Sequence, residues 1–191
     1  MTLRAFLIVP AALACLAAAP APAPKAPAPK APTAKAPATK APPAKIAPAV
    51  PFDATNPQSM MDLLGSAGAK VQTSRREEDA VFVAVTSPAA DFSMQFAGCN
   101  PQGRACRAVL LDSALAKSPA TTAQINGFNQ TSVMCRVYQD RAGVPHVLYS
   151  AILFRSMTRD DASTHLAAWQ GCVADGRDFL RDPVAYLATA A

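Results

Sequence analysis

The sequence predicts an α+β fold, one antiparallel sheet with helices packed on one face. Two local patterns and the order of elements carry that prediction. Asp91–Ala97 alternates Phe92, Met94 and Phe96 against Asp91, Ser93 and Gln95, the period of a strand with one buried side. Thr158–Arg181 carries Leu166, Trp169, Val173 and Leu180 at helical spacing, with Phe179 alongside, the stripe of a long amphipathic helix. Between and before them the signals run helix, strands, helix, two strands, helix. Such an order suits helices laid over a sheet.

The elements follow in turn. Asn56-Pro57 is a helix start, with Asn as N-cap and Pro at the first helical position. Met60, Met61, Leu63 and Leu64 give that helix an apolar face, and Gly65 or Gly68 ends it. Val71–Thr73 begins a strand, and Arg75–Asp79 reads as a charged turn. Ala80–Val85 is a β-branched and aromatic run that reads as a strand. Beyond Asp91–Ala97, the chain returns as a strand over Ala105–Leu111. A helix is expected over Pro119–Gln130, led by Ser118 and displaying Ile125 and Phe128. Val133–Gln139 and His146–Phe154 form a hairpin around Asp140-Arg141-Ala142-Gly143. Thr158, with Asp161 three residues later, caps the last helix.

Charge divides the chain. The formal net charge is +5, yet residues 1–50 hold six basic residues, no acid and 11 of the 18 prolines. From Phe52 onward 12 Lys and Arg stand against 13 Asp and Glu, so the folded part is close to neutral. About 140 residues suffice for one core and are few for two domains. This counts against a multidomain enzyme and against a nucleic-acid-binding fold with a basic face. Three parts result: a signal peptide over 1–19, a linker over 20–51 and a folded domain over 52–191.

Arg4 and the apolar run Ala5–Ala19, broken by Pro10, have the form of a secretory signal too short to span a bilayer comfortably. Pro20 opposes cleavage after Ala19 and favours a cut near Ala17 or Ala18. A lipoprotein signal is the alternative: Ala12-Leu13-Ala14-Cys15 resembles a lipobox, with Cys15 as the acylated N-terminus. The expected location is the periplasm or the exterior, or a membrane anchored through Cys15. Residues 21–45 are five pentapeptides ending in Lys25, Lys30, Lys35, Lys40 and Lys45. Proline removes donors and disfavours helix, so this segment is expected to be an extended, disordered linker. Fully extended, residues 20–50 would reach about 95 Å. It serves as a solubilising spacer or as a tether whose lysines make weak contact with an anionic envelope surface.

Removing or acylating Cys15 leaves four cysteines, as an oxidising compartment would favour. Cys99 and Cys106 bracket a turn signal between strand-like runs and are expected to pair. Cys135 and Cys172 are then left to pair strand to helix. Neither pair has CxxC spacing, so zinc is not expected. No GxSxG, HExxH, P-loop or GxGxxG pattern occurs. His146 at a strand start and His165 beside Leu166 read as ordinary boundary histidines rather than catalytic bases. Glu77-Glu78-Asp79 reads as a solvated turn, and Asp160-Asp161 as first-turn charge favoured by the helix dipole. Trp169 reads as core, with a partner anchor as the other reading. No catalytic residue, cofactor or metal is expected.

Gln124-Ile125-Asn126-Gly127-Phe128-Asn129, then Arg136-Val137-Tyr138 and the turn Gly143-Val144-Pro145, resembles the YbjN family of bacterial proteins. The strand end Gly98-Cys99, the returning strand Ala105–Leu111 and the Trp169-bearing helix add to the resemblance, which covers roughly residues 54–183. Phe128 stands where the family often has tryptophan. The resemblance implies a type III secretion chaperone-like fold, a role in sensory regulation and no catalytic residue. The expectation is an exported, non-catalytic domain that binds a protein or peptide, chaperone-like or regulatory, on a flexible tether; a homodimer is compatible with it. The alternatives are a cell-envelope structural protein bridging membrane and wall, and an unrecognised hydrolase.

Overall fold

A computed structural model describes residues 51–190. The expected signal peptide with Cys15, and the linker with Lys25, Lys30, Lys35, Lys40 and Lys45, lie outside the described residues. The described chain runs α1 (Pro57–Ser66), β1 (Lys70–Arg76), β2 (Ala80–Thr86), β3 (Asp91–Ala97), β4 (Ala108–Ala114), α2 (Thr122–Thr131), β5 (Cys135–Gln139), β6 (Pro145–Ile152), α3 (Arg159–Arg181) and α4 (Pro183–Thr189). The six strands form one sheet in the order β1-β2-β3-β4-β6-β5, antiparallel throughout. The fold is therefore α+β, as the sequence predicts.

Alternation sets the core. Register pairs Val83 with Met94, Met94 with Leu111, Leu111 with Tyr149, and Tyr149 with Cys135, so one row of buried side chains crosses five strands. The helices cover this inner face. On α3, Trp169 lies 5.5 Å from the Phe92 ring between centroids. Further along α3, a Cβ on Gly176 would lie 3.1 Å from Leu115 and 3.3 Å from Val147, so glycine sets how closely the helix approaches β6. Phe128 of α2, Phe179 of α3 and Tyr186 of α4 form an aromatic trio with centroids 4.9 to 5.7 Å apart.

Several boundaries differ from expectation, each for a physical reason. β1 continues through Arg75 and Arg76, which the sequence assigns to a turn. Their charges lie in water on an edge strand, and the Arg75 guanidinium sits 3.9 Å from the Phe82 ring centroid. The strand expected at Ala105 begins at Ala108. Gly103 and Ala105 both have positive φ, +69° and +52°, and the Asn100 side chain accepts from the N–H groups of Gln102 and Arg104. That closed loop joins Cys99 to Cys106 by a disulfide. α2 is capped by Thr121 rather than Ser118, because Gln124 completes a capping box with Thr121. Ser118 instead donates to the Leu180 carbonyl at 2.8 Å. Val133 and Met134 precede β5 rather than opening it. The short helix α4 is additional, capped by Asp182 with Pro183 at its first position.

The β5 edge is closed by side chains. Asn129 of α2 accepts from the Val137 N–H at 2.8 Å and donates to the Val137 carbonyl at 2.9 Å. Ser132 Oγ accepts from the Cys135 N–H at 3.1 Å. Cys135 is bonded to Cys172 of α3, with Cα atoms 5.3 Å apart. Replacing Asn129 with Ala strips both partners from Val137 and is expected to destabilise the domain by about 1–3 kcal/mol. Urea denaturation measures this, and an unchanged midpoint would contradict the edge-closing role.

Candidate functional site

The two ends of the β5–β6 hairpin meet at one depression. Before β5, Ser132 ends α2 and the chain bends through Val133 and Met134. At the other end, β6 leaves the sheet at Ile152, and Phe154 follows. These four side chains lie in water, at relative exposures of 89, 54, 62 and 58%. All line one depression of about 500 Å³, together with Arg136 and His165. The four side chains gather at one place, whereas exposed hydrophobics scattered singly need no explanation.

Local chemistry fixes this shape. Arg136 donates to the carbonyls of Ser132 and Cys135 at 2.8 and 2.7 Å, pinning the bend that displays Val133 and Met134. The Tyr149 hydroxyl and His165 Nδ1 share a short hydrogen bond in the same depression. Burial pushes the Tyr149 phenol above its ordinary pKa. Arg136 and His165 line the depression, and among the described residues no carboxylate lines it.

A second cluster lies on the sheet's other face. Tyr138 donates to Asp112 Oδ2 at 2.8 Å, and His146 Nδ1 lies 2.8 Å from Asp112 Oδ1. His146 Nε2 is 3.8 Å from Asp140, and the Tyr138 and His146 rings stack with centroids 5.0 Å apart. Desolvation, then the Asp112 hydrogen bond, then the charges of Asp112 and Asp140 push the Tyr138 phenol up to about 12. This phenol therefore stays a donor at neutral pH. The cluster cross-links β4, β5 and β6.

The other residues singled out by sequence fall as follows. Cys99 pairs with Cys106, and Cys135 with Cys172. Trp169 is buried in the core. Glu77 pairs with Arg75 at 3.1 Å in an exposed turn. Asp161 accepts from the Thr158 N–H and hydroxyl at 2.8 and 2.7 Å, and these bonds hold its carboxyl below the usual range. His165 joins the depression and His146 the opposite face. Among the described residues no three His, Cys, Asp or Glu are placed to hold a metal ion. No described helix is long and apolar enough to cross a membrane. The sequence reading missed Asp112 and Tyr138, whose outward position on β4 and β5 was the available signal. It also missed Val133 and Met134, which it placed inside a strand.

Helices thus lie over one face of the sheet, and bulky apolar side chains gather in water at one end of it. The chain belongs to the YbjN family: the family model, described as "Putative bacterial sensory transduction regulator", matches residues 58–181. No curated protein and no solved structure matches the chain. The family description is that of a regulator and names no reaction.

The Tyr138 contacts are testable by phenol titration. Tyr138 is expected to stay protonated past its ordinary value of 10.0 and to ionise at about 12. Because its folded pKa is raised, its contribution to stability is complete below the ordinary value and is lost as pH rises through the folded one. Asp112→Ala removes the bond and its charge but not the desolvation, so ionisation should move down without reaching 10. No difference between the two proteins would remove Asp112 as a cause.

Proposed function

We propose that this chain is an exported, non-catalytic regulatory domain that docks an apolar segment of another protein in the depression between Met134 and Phe154. The observation that carries the reading is the exposure of Val133, Met134, Ile152 and Phe154 around one hollow. The occupant is a segment with bulky aliphatic or aromatic side chains beside an acidic residue. The apolar groups lose contact with water on docking. The acid is matched to Arg136, which meets no carboxylate among the described residues lining the hollow. Methionine at the rim adapts to more than one shape. The tail acts as tether, and its five lysines add weak attraction to an anionic envelope surface. The signal-like N-terminus and the pairing of all four remaining cysteines support export into an oxidising space.

A photo-crosslinking residue at Phe154 in the full chain, expressed in its native cells, tests the docking face. A single adduct with another protein is expected, and adding Ile152→Asp should reduce it about tenfold or more. Thermal stability should change by no more than about 0.5 kcal/mol, since Ile152 is exposed. An adduct of the chain with itself would assign the face to a homodimer. Equal adducts from the same residue placed at Ser74, on the opposite edge of the sheet, would overturn the reading, as would none.

Intact mass of the exported protein, unreduced, tests the compartment. The expectation is loss of the leader near Ala17 or Ala18, or acylation at Cys15, with two disulfides. A chain retaining Met1–Ala19 with four free thiols at 99, 106, 135 and 172 would contradict export.

A further inference from the structure

We propose a second binding site, for an amphiphilic monocarboxylate such as a medium-chain fatty acid, in the cleft between α1, the β2–β3 turn and α3. It stands on a different surface from the docking face and does not depend on it. The cleft encloses about 400 Å³, within the range of about 300–1,000 Å³ usual for small-molecule sites. Leu64 of α1, Phe92 of β3, and Leu166, Trp169 and Val173 of α3 make its walls, and Arg177 is its single charged residue. Trp169 and Phe92 meet in one wall as a tilted aromatic pair, at an interplanar angle of 58°.

Two features select the ligand. The walls are apolar and would lose hydration to an alkyl or aryl body, which favours a hydrocarbon chain over a sugar or a nucleotide. Arg177 Nη2 donates to the Ala89 carbonyl at 3.2 Å, which holds the guanidinium against the turn that forms one wall. That bond uses one of its five N–H groups, and a planar fork suits a carboxylate. No acidic residue lines the cleft to neutralise it. The one hydroxyl lining the cleft is occupied, since Ser87 Oγ donates to the Ala90 carbonyl at 2.7 Å and accepts from the Ala90 N–H at 3.2 Å. One apolar volume with one cation at its edge fits one negative headgroup on a hydrocarbon body.

The chain contains a single tryptophan, and that residue, Trp169, lies in the wall of this cleft. Its fluorescence in the full-length protein therefore reports occupancy directly. Decanoate, titrated below its micellar concentration, is expected to change the emission saturably and to raise the Tm. Arg177→Gln should weaken decanoate about tenfold or more while leaving decan-1-ol unchanged. Ala174→Phe, at an exposed position lining the cleft, should block both probes. An emission change with a fall in Tm would mark detergent-like unfolding and overturn the site. Absence of a saturable change would overturn it too, and an Arg177→Gln variant that binds decanoate as well as the parent would overturn the carboxylate assignment.

Discussion

The close seating of α3 on the sheet is the constraint on which the rest depends. Gly176 lets the helix approach Val147 and Leu115 at a distance that a Cβ would crowd. Cys172, one turn earlier, is bonded to Cys135 of β5, and Trp169 packs on Phe92 of β3. Three contacts along one helix thus hold both halves of the sheet. The consequences run along α3 in order: His165 reaches the hollow beside Tyr149, Trp169 and Val173 wall the cleft, and Phe179 meets Phe128 and Tyr186. Without Gly176 the helix would stand off, and each of these surfaces would lose its depth.

The edges of the sheet decide how a partner can bind. An open edge strand invites another strand by backbone hydrogen bonding. Here Asn129 takes both outward groups of Val137, and Ser132 takes the Cys135 N–H, so β5 offers no run of free donors and acceptors. At the other edge β1 carries Lys70, Arg75 and Arg76, with a register shift between Thr73 and Arg75 that interrupts pairing. The docking proposed at the Met134–Phe154 hollow would therefore rest on side-chain burial rather than strand addition. That distinction matters for specificity: side-chain pockets discriminate by shape and charge, whereas a free edge accepts almost any extended chain.

Much of the fold was legible because single-chain periodicity and capping chemistry are local. Asn56-Pro57 and Thr158 with Asp161 mark real helix starts, and the Phe92, Met94, Phe96 alternation marks a real buried face. What failed depended on partners distant in sequence. The Ala105 strand start is wrong because the Asn100 turn and the disulfide impose positive φ there. Ser118 looks like a helix cap but bonds Leu180, 62 residues away. The Tyr138, Asp112 and His146 cluster needs the register of three strands, which no single strand encodes. One miss was avoidable: Asp182-Pro183 carries the same cap-and-proline signal as Asn56-Pro57, and α4 starts there.

The same pinning of α3 constrains how a regulator of this build can act. Coupling between two sites through a packed element requires that element to have two discrete arrangements. His165 and Leu166 are neighbours on α3, one lining the hollow and the other the cleft, so a sliding helix would couple them directly. Yet a slide of even a fraction of a turn would drive the side chains flanking Gly176 against Leu115 and Val147, and would pull on the Cys135–Cys172 bond. Packed interiors resist such displacement because close-packed side chains have no room to yield gradually. The parts able to respond lie at the rims instead: the β2–β3 turn that Arg177 holds by one hydrogen bond, and the bend at Val133 and Met134 that Arg136 holds by two. Under the proposed reading, regulation would follow from what occupies these surfaces, with α3 as the fixed frame between them.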